Sequence, residues 1–202
     1  MTLVVGALTA PAAVIDFDSI AASCCFGDVT AGGARGPQIV FGNATVDGGV
    51  VLDDTAFADT ATSNPNIYAT FDLGTLGDGS TLPGFITISF LNPVSFVSLD
   101  VINGFGAADF TLAAYDASSV LLGSSIVSLS DFGAPGSVGN TSVSFAGIRS
   151  VVISTNQGVG NTDFAIDTVN YTESAVPEPR TWLSMAGGLA AIALRRARRA
   201  RS

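Results

Sequence analysis

The sequence is built from short apolar runs of alternating polarity, and this pattern constrains the fold more than any other feature. In Phe85–Phe90, three apolar side chains share one face of an extended strand: Ile86, Ile88 and Phe90. The same alternation recurs in Ala108–Tyr115. Roughly eleven such runs are separated by turn-forming clusters, and no stretch of the body has a helical period. We therefore predict an all-β domain, an antiparallel β-sandwich, over residues 13–174.

The turn clusters indicate where the predicted strands end. Asn92-Pro93 is expected to separate a strand at 85–90 from one at 94–102, and a break after Phe145 separates strands at 141–145 and 148–155. The thirteen Phe residues are assigned mainly to the core, because a body of this length can bury a sizeable one. The sequence has no internal repeat of fixed period, which argues against a solenoid or a propeller.

The charged residues are few and unevenly distributed. The chain has 17 acidic and 8 basic residues, and the basic ones are all Arg, since Lys and His are absent. Residues 14–175 contain 16 of the acidic residues but only Arg35 and Arg149, which gives this part a net charge of −14. A body this acidic would repel phosphate, so we predict that the protein does not bind nucleic acid.

The same residue types restrict the chemistry that the body can perform. Without His the chain has no Ser-His-Asp or Cys-His relay, and without Lys it has no Schiff-base nucleophile. Glycoside hydrolysis needs two facing carboxylates, and no spacing among the fifteen Asp singles out a pair. We therefore predict no catalytic residues and a protein that is not an enzyme.

The first twelve residues are apolar and end in small side chains. Ala10-Pro11-Ala12 fits the pattern that precedes a signal-peptide cleavage site, but no basic residue comes before the apolar run. Residues 1–12 are interpreted as a signal peptide with a truncated start. The alternative is an apolar N-terminal strand.

Residues 175–202 contain three features in a fixed order. The first, Val176-Pro177-Glu178-Pro179, is expected to be extended because its prolines prevent a helix. The second is an apolar run at 182–194, which as a helix would rise about 20 Å, less than the roughly 30 Å hydrocarbon core of a bilayer. The large side chains of this predicted membrane helix are Trp182, Leu183, Met185, Leu189, Ile192 and Leu194. The third is a basic cluster formed by Arg195, Arg196, Arg198, Arg199 and Arg201. The positive-inside rule would keep this cluster cytoplasmic.

This order of features resembles the PEP-CTERM sorting signal, in which a Pro-Glu-Pro motif precedes a short apolar helix and a terminal Arg cluster. The resemblance covers about the last 27 residues, with Pro177-Glu178-Pro179 as the motif. It implies export, insertion of the precursor into the inner membrane, and processing by an exosortase. The protein would then reside in the cell envelope or the extracellular matrix. The alternative is a plain tail anchor in which the Pro-Glu-Pro sequence is incidental.

The body resembles the jelly-roll β-sandwiches of carbohydrate-binding modules, in segments that include 15–18, 88–98 and 164–171. The resemblance implies that the first and last strands lie side by side and that Asp167 helps to bind a structural calcium ion. Asp16 or Asp18, which lie two apart on the first strand and share a face, would help complete the oxygen shell. The alternative is that these Asp are solvated edge or turn residues. No other cofactor is expected.

Cys24 and Cys25 form an adjacent pair in a loop rich in Gly, Ala and Asp. Export would permit a disulfide, either within the pair, which needs a strained ring, or between two chains. Free thiols are equally compatible with the sequence. A zinc site is excluded, because two Cys without His cannot supply four ligands.

Two functions are compatible with these features. The first is a non-enzymatic surface or matrix protein that its tail directs to the cell surface. The second is a carbohydrate-binding module that contacts exopolysaccharide, which requires exposed aromatic side chains. Besides its Phe the body offers only Tyr68, Tyr115 and Tyr171, and the one Trp is in the tail. This scarcity slightly favours the structural function.

Overall fold

The computed structural model describes residues 12–20, 22, 38–57, 62–70, 84–157 and 163–174. These residues form ten β-strands and a 3₁₀ helix, Asp54–Phe57. The strands are β1 (Ala12–Ile15), β2 (Ile39–Phe41), β3 (Ala44–Asp47), β4 (Val50–Asp53), β5 (Asn66–Thr70), β6 (Phe85–Asn103), β7 (Ala108–Tyr115), β8 (Leu121–Leu129), β9 (Val138–Thr155) and β10 (Phe164–Glu173). Their pairings are all antiparallel, which confirms the predicted all-β class.

Two long strands, β6 and β9, run through both layers of a sandwich. The first half of β6 pairs with β3 and with the second half of β9, whereas its second half pairs with β10 and with the first half of β9. One layer therefore has the order β2-β3-β6-β9-β7-β8, and the other has the order β4-β5-β10-β6-β9. β1 lies beside β10 on the side that β5 also uses. This is the jelly-roll-like antiparallel sandwich expected from the sequence.

The sequence patterns predict a break within β6 and another within β9. Both predictions are wrong, because each strand continues through the expected break. Asn92-Pro93 lies inside β6, where the ladder to β9 is interrupted between Ser89 and Val94. The proline, which has no N–H, therefore removes no bond from that ladder. In β9, Gly147 has a φ of 81°, a left-handed conformation that glycine adopts without steric cost. β3 is a further strand that the sequence patterns did not indicate.

The main core lies between the two layers. It contains the alternating side chains predicted in β6 and β7, which are at most 3% exposed: Ile86, Ile88, Phe90, Phe110, Leu112 and Ala114. A smaller core covers the outer side of the layer that contains β5, where Leu52, Ile67 and Ala165 surround Phe57 of the 3₁₀ helix. Both faces of β5 are covered, so all five of its residues are buried.

Several predicted features lie outside the described residues. They are residues 1–11 of the predicted signal peptide 1–12, the pair Cys24 and Cys25, and the whole of 175–202 with its motif, apolar helix and Arg cluster. Within the described ranges no helix is long and apolar enough to cross a membrane. The predicted domain limits and the predicted C-terminal helix therefore stay predictions.

Candidate functional site

The residues predicted to bind calcium lie on neighbouring elements. β1 pairs with β10, with Ile15 opposite Val169, which confirms the expected adjacency of these strands. Asp16 and Asp18 follow β1 directly, the first exposed and the second half-buried. Asp167 lies in β10 and is fully buried.

Both carboxylate oxygens of Asp167 accept hydrogen bonds from the segment that precedes β5. Oδ2 accepts the backbone N–H groups of Thr62 and Ser63 at 2.8 and 2.7 Å, and Oδ1 accepts the Ser63 hydroxyl at 2.8 Å. The N–H of Thr168 donates to Oδ1 at 2.6 Å. Thr168 has a φ of 45°, a strained value for a β-branched residue, at an irregularity in the β6–β10 ladder. Asp167 therefore fastens the 62–63 segment to the sandwich.

The Thr62 hydroxyl lies between two carboxylates. Its Oγ1 is 2.7 Å from Oδ2 of Asp100 and 3.1 Å from Oδ2 of Asp167, and these two Asp are cross-strand partners in β6 and β10. A hydroxyl has one proton, so it donates to only one of the two carboxylates at a time. Asn140 donates to the other oxygen of Asp100 at 2.8 Å. The result is a network of polar side chains across three strands.

The predicted calcium ligands all accept hydrogen bonds from the protein. Asp18 accepts the Asn66 N–H at 3.0 Å and Asp16 accepts the Asp18 N–H at 3.3 Å, so each predicted ligand already has a protein donor. Among the described residues, no group of three or more Asp, Glu, Cys or His side chains is arranged to hold a metal ion. The geometry gives Asp167 a structural role, and calcium binding stays a prediction from the resemblance.

Two aromatic rings are exposed at the end of the sandwich where β7 begins and β8 ends. Phe105, in the loop from β6 to β7, is 45% exposed, and Phe132, in the loop after β8, is 41% exposed. The N–H of Phe132 donates to the carbonyl of Phe105 at 2.7 Å, which joins the two loops. The Phe132 ring also packs edge-on against the buried Phe57 ring, with centroids 6.1 Å apart. These contacts hold the aromatic pair in place.

A shallow pocket lies beside these loops. Its volume is about 240 Å³, and it is lined by Ala107, Ala108, Asp109, Ser128, Leu129 and Asn156. Asp109 accepts the Ser128 hydroxyl at 2.6 Å and the Asn156 amide at 3.3 Å, and its own N–H donates to Oδ1 of Asn156 at 3.0 Å. Ser128 and Asn156 remain exposed. The pocket and the rings of Phe105 and Phe132 are together called the loop-end site.

Two polar side chains fix the backbone of the loop-end site. The side-chain amide of Asn103, which is fully buried, donates to the carbonyls of Gly106 and Ser130, both at 2.8 Å. Asp131 accepts the N–H of Ala107 at 2.7 Å. Asn103 and Asp131 therefore connect the two loops to each other.

One carboxylate oxygen next to the loop-end site is buried and has no partner among the described residues. It is Oδ1 of Asp163, which is excluded from solvent and accepts no hydrogen bond within the part of the chain that the structure describes. Its carboxyl carbon packs against Gly104, whose N–H donates to the Asp163 carbonyl at 2.9 Å. Burial raises the pKa of Asp163 to about 7, because an ionised carboxylate is poorly solvated there.

The loop-end site was not foreseen from the sequence, because the Phe residues were assigned to the core. The sequence positions of the two Phe residues could have indicated exposure. Phe105 lies between Gly104 and Gly106, and Phe132 precedes Gly133, in clusters typical of turns. The tyrosines considered as sugar platforms are less accessible. Tyr68 and Tyr171 are buried, and Tyr115 is half-buried.

The chain matches no family model and no curated protein. It is similar in structure to the module TmCBM61 in complex with β-1,4-galactotriose, at 12% identity and a TM-score of 0.43, over 66% of this chain and 90% of that one. A DUF4465 family protein from Bacteroides caccae is 9% identical, with a TM-score of 0.48, over 80% of this chain and 100% of that one. The N-terminal CBM22-1–CBM22-2 tandem domain of Paenibacillus barcinonensis Xyn10C is 14% identical, with a TM-score of 0.41, over 87% of this chain and 49% of that one. At these scores the similarities assign no function.

Proposed function

We propose that the chain is a non-catalytic carbohydrate-binding protein that recognises polysaccharide at the loop-end site. The observation that carries this proposal is that two exposed aromatic rings lie on the two loops that adjoin a pocket with fixed polar groups. Sugar rings have apolar C–H faces, which pack on aromatic rings, and hydroxyl groups, which bond to carboxylates and amides. The loop-end site offers both kinds of contact.

Each polar group has a distinct role in this proposal. Asp109 accepts hydrogen bonds from sugar hydroxyls, and this carboxylate is already oriented by Ser128 and Asn156. The exposed Ser128 hydroxyl and Asn156 carboxamide can each both donate and accept. Since the buried Asn103 amide holds the loops, binding spends little free energy on ordering them.

The pocket is suited to binding rather than to hydrolysis. Asp109 is the only carboxylate among the six residues that line it. Glycoside hydrolysis uses two carboxyl groups on either side of the scissile bond, separated by about 5–10 Å. This arrangement favours binding over hydrolysis at this pocket.

Affinity electrophoresis of the full chain in gels that contain purified polysaccharides tests the proposal. We expect at least one polysaccharide to retard the protein, and Phe105→Ala or Asp109→Ala to weaken the retardation by about tenfold. Leu91→Ala is the control, because Leu91 is 74% exposed in the bend of β6, away from the loop-end site. Circular dichroism verifies that the variants remain folded. The proposal fails if no polysaccharide retards the chain or if all three variants bind equally.

We also propose that the tail sorts the protein to the cell surface, where exopolysaccharide would be its ligand. The support is the order of Pro177-Glu178-Pro179, the apolar run and the Arg cluster in the sequence. The proposed partners are an exosortase and, before processing, the inner membrane. Replacement of the three motif residues by Ala should leave an unprocessed precursor in the membrane, whereas Thr181→Ala should be processed normally. Normal processing of the triple variant would disprove sorting through this motif.

A further inference from the structure

β8 is the end strand of its layer. It pairs with β7 on one side, and no described strand pairs with its other side. An edge strand presents a row of backbone N–H and C=O groups to which another extended strand can bond. With nine residues, Leu121–Leu129, β8 is long enough for a full ladder.

β8 lacks the features that usually protect an edge from such pairing. It contains no charged residue and no proline. Its ladder with β7 is regular from Ala108 to Ala114, and the register shifts only at Tyr115, next to the start of β8. Val120, Leu121 and Ile126 are 58, 55 and 63% exposed. β8 is therefore an uncharged and partly apolar edge, of the kind that accepts an added strand.

The charge around β8 favours a second copy of the chain as the partner. Between Ala117 and Ile148 the one charged residue is Asp131, although the body as a whole is strongly acidic. This neutral stretch includes β8 and the first half of β9, which contact each other where Phe145 packs against Gly123. Two acidic chains repel each other least when they meet through neutral surfaces.

We propose that the chain forms a twofold dimer through antiparallel pairing of β8 with β8 of a second copy. Twofold pairing uses the same edge on both chains, so the contact closes on itself and leaves no β8 edge for further growth. The backbone groups supply the hydrogen bonds of the new ladder. Leu121 and Ile126 supply apolar area on its surface. This proposal does not depend on carbohydrate binding.

Sedimentation velocity of the full chain, in a non-ionic detergent that covers the apolar tail, tests the dimer. We expect a monomer–dimer equilibrium between about 1 and 100 µM, with at least roughly tenfold weaker association in Ser124→Lys. Ser89→Lys is the matched control, because Ser89 is also exposed but lies in the central strand β6. Ile126→Lys provides an independent second disruption of the edge.

The outcomes separate the proposal from its alternatives. A wild-type chain that stays monomeric throughout this range would overturn the dimer. A dimer that persists unchanged in Ser124→Lys and Ile126→Lys would show that association uses another surface. A dimer weakened by both β8 variants but not by Ser89→Lys would support pairing through β8.

Discussion

Asp163→Asn should remove a pH dependence of stability that the wild-type protein shows between about pH 4 and pH 7. Oδ1 of Asp163 is buried and has no hydrogen-bond partner in the described ranges, and burial raises the pKa of Asp163 from 3.8 to about 7. In this pH window the folded protein keeps the carboxyl protonated, while the unfolded chain ionises it. Unfolding therefore releases a proton, and stability falls as the pH rises.

The size of the effect follows from the same values. Each pH unit between the two pKa values lowers the free energy of unfolding by about 1.4 kcal/mol, so the loss approaches about 4 kcal/mol near pH 7. Below pH 4 the carboxyl is protonated in both states, and above pH 7 it is ionised in both. The contribution of Asp163 is therefore constant outside the window. Its full destabilising effect is present only at neutral and alkaline pH.

Urea unfolding followed by circular dichroism, at half-unit steps from about pH 4 to pH 8, measures the effect. The informative quantity is the free energy of unfolding of Asp163→Asn minus that of the wild type. It should rise with pH by several kcal/mol and level off near pH 7. The Asn amide does not titrate, so its hydrogen bonds change the free energy of unfolding by the same amount at every pH. They therefore do not affect how the difference varies with pH. Asp16→Asn, at an exposed position, is the control. A difference that is independent of pH, or that falls with pH, would refute the reasoning.

Three further predictions concern the polar network, the loop next to Asp163 and calcium. Asp167→Ala should lower the free energy of unfolding by about 3 kcal/mol or more, because it leaves several donors without an acceptor. Asp100 is half-buried, so Asp100→Ala should lower it by only about 1 kcal/mol in the same urea assay. Gly104→Ala should cost about 2 kcal/mol, because its Cβ would lie 2.7 Å from the Phe57 ring and 2.8 Å from the Asp163 carbonyl oxygen; Gly106→Ala, with nothing within 4 Å, should be nearly neutral. Structural calcium predicts a midpoint of thermal unfolding that rises in millimolar Ca²⁺, returns with chelator and responds less in Asp16→Asn, and an unmoved midpoint would end that hypothesis.

The fold class could be predicted because the alternation of polarity reports directly which side chains face the core. Ile86, Ile88 and Phe90 were expected on one face, and all three are buried. The position of β1 beside β10 could be expected from the resemblance to jelly-roll modules and is confirmed. These features depend on local pattern and on the order of strands, and a single sequence contains both.

The course of the long strands could not be predicted, because it depends on contacts between the layers. Asn92-Pro93 has the composition of a turn, yet β6 continues through it to the other layer. Asp is a residue type that often binds metal ions, yet the hydrogen-bond donors to Asp167 are Thr62 and Ser63, about a hundred residues earlier in the chain. Sequence spacing contains no information on such distant partners. The exposed Phe105 and Phe132 were missed for a related reason, since their residue type indicates a core and only their position in turns indicates the surface.

The proposed dimer and the proposed carbohydrate binding would be compatible with each other in one protein. Ser128 lies near the end of β8 and also in the wall of the loop-end pocket. In an antiparallel β8–β8 pair the two copies of Ser128 lie towards opposite ends of the shared ladder, so the two loop-end sites point away from each other. Such a dimer could bind two polysaccharide chains at once, and binding at both sites would raise the apparent affinity for a polymer far above that for a short oligosaccharide. The same variants test this consequence. Ser124→Lys should lower the avidity for polymer while it leaves the affinity for oligosaccharide unchanged, whereas Asp109→Ala should lower both.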